Sequence, residues 1–126
     1  MARTVELFLD SDQPLALVAR DLAGLVGARL SPLPGTSGFA LSDGPVDATV
    51  REHAFVDDEG LPLSAFRYVI TVVVAGTHEP EAGPELHWLR ALRRRVRDER
   101  PWACLLVVDL ERPDAGDAEG AGERGR

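Results

Sequence analysis

Apolar residues along this chain fall into short, strand-sized blocks, interrupted by two stretches in which they recur at helical spacing. The densest block is Phe66–Gly76, Phe-Arg-Tyr-Val-Ile-Thr-Val-Val-Val-Ala-Gly. Its β-branched residues fit a pleated surface and would lose χ1 freedom in a helix. Apolar residues occupy both of its alternating faces, so neither face can look fully at water. The pattern makes this block the central strand of a sheet. Val5–Leu9, Ala28–Leu33 and Phe39–Leu41 read as further strands, and Trp102–Leu110 is a last one, again apolar on both faces. Val46–Val56 is ambiguous: Val46, Ala48, Val50, Ala54 and Val56 keep period two, while Val46, Val50 and His53 would also suit a short helix after Pro45. The turn-like Asp57-Asp58-Glu59-Gly60 that follows favours a strand, paired with Phe66–Ala75 as a long hairpin.

Two helices are predicted. In the first, Leu15, Val18, Leu22 and Leu25 recur on one face, Gly27 is the natural stop, and Ser11 or Asp12 can cap the first turn ahead of Pro14. The second opens at Pro84-Glu85, carries the stripe Leu86, Leu89, Leu92 and Val96 with Trp88 beside it, and ends before Pro101. The order is β-α-β-(β)-β-β-α-β, an α+β sandwich of the ferredoxin-like kind: an antiparallel-rich sheet of four to six strands with two helices on one face. Residues 1–110 form one domain, and the polar, aperiodic residues 111–126 read as a disordered tail. The opposite sheet face then needs a cover, which a homodimer formed through the sheet would supply.

Composition narrows the function classes. No apolar run is long enough to span a bilayer, and no secretory leader fits the first residues, so a cytoplasmic protein is expected. The only cysteine, Cys104, lies in an apolar run and reads as a small buried thiol. All 14 basic residues are arginine, with no lysine or asparagine and a single isoleucine, the signature of a GC-rich bacterial genome, an actinobacterial one above all. The missing lysine excludes a Schiff base, a lysine general base and a P-loop lysine.

Three constellations could carry chemistry. Leu7-Phe8-Leu9-Asp10-Ser11-Asp12 resembles the first motif of haloacid-dehalogenase-type phosphotransferases over those six residues. Gln13-Pro14 depart from that motif, the chain is short for that fold and lacks its lysine, and helix capping accounts for Ser11 and Asp12 without chemistry. His53 stands near Asp57 and Asp58, and His78 beside Glu79, so either histidine could serve as an acid/base with a carboxylate setting its pKa. The three histidines show no metal-ligand spacing, and neither a metal nor a cofactor is implied. Residues 84–101 hold six arginines against three acids, a net +3 in a chain of net −7, which leaves −10 elsewhere. Arg90, Arg94 and Arg97 share one helix face, with Arg93 and Arg100 beside it.

The acidic balance repels a nucleic-acid backbone, so nucleic acid is an improbable partner. The leading expectation is a small non-catalytic accessory, regulatory or immunity-type protein that binds a protein or peptide partner through Arg93, Arg94 and Arg97. The alternative is a small dimeric α+β tailoring enzyme or ligand-binding protein acting on a small molecule or peptide, with His53 or His78 as its acid/base group.

Overall fold

The computed structural model describes residues 3–53, 62–74, 83–108 and 112–113. In chain order the elements are β1 (Arg3–Asp10), α1 (Leu15–Val26), β2 (Arg29–Pro32), β3 (Phe39–Asp43) and β4 (Val46–Glu52). A 3-10 turn (Leu63–Ala65) leads into β5 (Tyr68–Val74), followed by α2 (Pro84–Glu99), β6 (Ala103–Val108) and the two-residue β7 (Arg112–Pro113). The strands form one antiparallel sheet in the order β2-β3-β4-β5-β1-β6-β7. β5 is the middle strand, as its two-sided apolar sequence requires. The ambiguous stretch is a strand through Glu52, and it pairs with β5 so that Val50 faces Ile70 and Ala48 faces Val72. Residues 54–56 of that stretch, and the turn-like residues 57–60 after it, lie outside the described residues. β7 extends the sheet past the expected domain end at residue 110; residues 111 and 114–126 of the expected tail are not among those described.

Period-two alternation sorts the side chains. Val5, Leu7 and Leu9 of β1, Val46, Ala48 and Val50 of β4, Tyr68, Ile70, Val72 and Val74 of β5, and Leu106 and Val108 of β6 point to the face on which both helices lie. There they meet Val18, Leu22 and Leu25 of α1 and Leu86, Leu89, Leu92 and Val96 of α2, all buried. Fully burying an aliphatic side chain of this size is worth about 1.5–3 kcal/mol, so this layer is the main source of stability.

The helix ends show how local chemistry sets boundaries. Ser11 and Asp12 do not cap α1. They lie too far upstream: the Ser11 hydroxyl reaches only the Gln13 amide, at 3.1 Å, and the extended Pro14 is the cap. The amides of Leu17 and Val18 instead donate to the Pro14 carbonyl, at 3.0 and 3.1 Å. Gly27 closes the helix at φ 71°, a left-handed conformation that favours glycine. α2 begins with Pro84 in its first turn, where a missing N–H is harmless, and stops at Glu99 because Arg100, preceding Pro101, is held extended.

The opposite face carries a smaller apolar cluster of Phe8, Val69, Leu105 and Val107, with Phe66 packed against it. Among the described residues no helix lies over it. The four are nonetheless buried within the single chain, at 0–4 % exposure. Among the described residues, the apolar side chains of this face are thus mostly out of water within one chain, Val73 excepted. Cys104 is half-buried at the margin of the main core, more open than the sequence implies, because it sits near the start of the last full strand. No described helix is long and apolar enough to cross a membrane.

Candidate partner-binding site

Among the described residues, the helices help to shape two depressions and one charged ridge. The first depression, about 440 Å³, opens where the end of β1 meets the α2–β6 junction; it is lined by Asp10, Ser11, Asp12, Gln13, Asp21, Arg100, Pro101 and Trp102. Its one guanidinium is already engaged: Arg100 Nε lies 3.3 Å from Asp21 Oδ2, and another of its nitrogens donates to the Glu99 carbonyl at 2.8 Å. Tyr68, buried beneath, donates its hydroxyl to the Gln13 carbonyl and so ties the β1–α1 loop to the sheet. This is the neighbourhood of the Asp-x-Asp stretch. Asp10 and Asp12 line the cleft with Asp21, yet no group of three or more acids, histidines or cysteines among the described residues is arranged to hold a metal ion.

The second depression, about 340 Å³, runs between the C-terminal end of α1 and one flank of α2. Leu25, Val26, Trp88 and Ala91 give it apolar walls, and Asp43, Arg94 and Arg95 edge it. The Trp88 indole is fixed by its Nε1–H, which donates to Asp43 Oδ2 at 2.8 Å. Neither residue alone marks this groove in the sequence. Asp43 is the end of β3, and only the sheet order brings it under α2.

The ridge is α2 itself. Leu86, Leu89, Leu92 and Val96 face the sheet, so the arginines on the far side of the helix face outwards. Arg90, Arg94, Arg95 and Arg97 are exposed, whereas Arg93 is half-buried at the edge of the helix–sheet contact. The trio Arg93, Arg94 and Arg97 is thus split: Arg94 and Arg97 present themselves to solvent, and Arg93 reaches it only in part. Arg90, Arg93 and Arg97 take part in interactions within the chain. Arg95 forms an ion pair with Glu99 at 3.0 Å, one helical turn on, between side chains roughly half exposed. Such a surface pair is worth well under 1 kcal/mol and yields readily. Arg94 makes no ion pair or hydrogen bond among the described residues.

The histidines take other places. His53 follows β4 on the sheet face away from the helices, its ring edge-on to Phe8 at 5.0 Å and 84°. Its Nε2 bonds the Phe66 carbonyl, and a carbonyl can only accept, so that nitrogen carries the proton. The contact clips the end of β4 to the approach of β5. The acids expected beside it, Asp57 and Asp58, lie outside the described residues, as does His78. His87 is exposed on α2, facing away from the core. His53 therefore lines neither depression.

The chain matches no protein-family model, no curated protein and no solved structure.

Proposed function

We propose that this protein is a non-catalytic recognition module that binds an acidic surface or segment of a partner protein through the outward face of α2. The observation that carries the reading is the exposed row Arg90, Arg94 and Arg97, headed by an Arg94 whose charge is balanced by no acid among the described residues. Guanidinium groups pair carboxylates in a planar, two-pronged geometry and are weakly hydrated, which suits them to protein interfaces. The remainder of the chain is net −10, so it repels acidic partners everywhere else and leaves one favourable orientation of approach. The frame fits the role. A ferredoxin-like arrangement, read from β4-β5-β1-β6 with each helix packed across it and β2 and β3 added at one edge, holds α2 rigidly along its length.

The test is comparative capture from host lysate. The tagged wild type is expected to retain a stoichiometric partner, seen by native mass spectrometry, and the triple reversal Arg93→Glu, Arg94→Glu, Arg97→Glu is expected to lose it while keeping its circular-dichroism spectrum. A partner held equally by the reversed protein would overturn the assignment of α2. The histidine reading has its own test: replacing His53, His78 and His87 together is expected to leave partner capture unchanged.

A further inference from the structure

We infer that the groove between α1 and α2 is the specificity pocket of this surface, and that its occupant is a peptide segment of the partner carrying an apolar side chain next to a carboxylate. The inference rests on the reading of α2 as a partner-binding face and names the chemistry that face selects.

The groove combines two properties that neither helix has alone. Leu25, Val26, Trp88 and Ala91 offer apolar walls around about 340 Å³, room of the order that binding clefts use for a few side chains. Trp88 is half-buried and cannot turn freely, because the bond from its indole to Asp43 at 2.8 Å fixes the ring plane. A wall fixed in advance loses little entropy on binding, and a tryptophan with one polar edge satisfied is a common anchor at interfaces. The rim supplies the second property. Asp43 is committed to the indole, and the exposed Arg95 gives up only a weak ion pair to Glu99 if it turns towards a ligand. Arg94, with no acid paired to it among the described residues, gives the rim a positive charge next to the apolar walls. A purely apolar ligand would leave that charge unanswered, and a basic one would meet it head-on. An apolar residue followed by glutamate or aspartate satisfies both.

The probe is a blocked hexapeptide alternating leucine and glutamate, compared with the counterpart that has lysine in place of glutamate. The readout is the proton–nitrogen spectrum of the full chain, with the Trp88 indole signal assigned by its loss in Trp88→Phe. The glutamate peptide is expected to move the Trp88 indole, Leu25 and Val26 signals along one saturable curve, with the lysine peptide at least tenfold weaker. Arg94→Glu is expected to weaken the glutamate peptide by tenfold or more and leave the rest of the spectrum in place. Equal binding of both peptides, or shifts that avoid these residues, would overturn the inference. The two claims fail separately. Partner capture that depends on the arginines, together with a groove indifferent to the hexapeptide, removes the pocket alone. Capture indifferent to the arginines removes the reading of α2 itself.

Discussion

Tyr68 is the residue on which most local structure converges. It is the only tyrosine, lies wholly buried in β5 on the helix-covered face, and spends its hydroxyl on the carbonyl of Gln13. Burial raises its pKa above the usual tyrosine value; Arg67, whose guanidinium lies 5.2 Å from the ring centroid, pulls it back, and Glu52 and Asp10 push it further up. A raised pKa means that the folded state holds the phenol proton more tightly than the unfolded chain does. That contribution is complete below pH 10 and is lost as pH climbs towards the folded value. The missing lysines make this measurable, since no lysine titrates alongside the only tyrosine. Absorbance at 295 nm is expected to show ionisation above pH 10, and urea midpoints are expected to fall with pH there in the wild type but stay nearly flat in Tyr68→Phe. At pH 7 the same variant is expected to lose about 1 kcal/mol, the ordinary worth of one hydrogen bond. A normal phenol titration would show that the hydroxyl is wet and the tie to Gln13 unimportant.

Among the elements, β2 governs whether the sheet can grow at one of its two ends. It is the edge strand opposite the two-residue β7, and every one of its residues is exposed. Leu33 donates to the Gly38 carbonyl at 3.0 Å, continuing the β2–β3 register in which Arg29 faces Ser42 and Ser31 faces Ala40. Antiparallel alternation then turns the backbone groups of Arg29 and Ser31 towards β3 and those of Leu30 and Pro32 towards solvent. Proline has no N–H, so the outward edge offers a single donor, from Leu30. That is a short, blunted edge of the kind that resists strand addition. Pro32→Val restores the second donor and is expected to raise the average mass in sedimentation at high concentration relative to wild type; an unchanged mass would mean that strand length alone guards the edge. This detail also marks where the sequence stops being legible. Period two in Val46–Glu52 and helical spacing in Leu86–Val96 named the strands and helices, because alternation and 3.6-residue repeats are local properties. The cap on α1 was misplaced because Ser11 competes for a nearer amide. The Trp88–Asp43 contact was invisible, since it depends on β3 lying three strands from β1, and no local pattern encodes strand order. The arginine face was legible in outline, but the half-burial of Arg93 was not: it depends on how α2 rolls against the sheet.

At the scale of the whole molecule, the question is what a second copy of the chain would gain by docking. Stable interfaces remove about 800 Å² per partner, with an apolar centre. The exposed large apolar residues among those described are Leu17 on α1, Leu30 on the β2 edge and Val73 on the face away from the helices. They lie on three different parts of the surface and form no patch. On the face away from the helices Phe8, Val69 and Val107 are already out of water, which leaves Val73, 54 % exposed, between the polar Thr71 and the strand end. One valine offers far too little apolar area to hold two sheets together against the cost of association. Charge points the same way, because two copies of net −7 repel unless an arginine face meets an acidic one. The isolated chain is therefore expected to sediment as a monomer at micromolar concentration in 0.15 M salt, and Val73→Asp is expected to leave that mass unchanged. A dimer abolished by Val73→Asp would place the second copy on the open sheet face. A dimer that survives Val73→Asp but dissolves in 1 M salt, where charge interactions are screened within about 3 Å, would instead show α2 of one copy reading the acids of another.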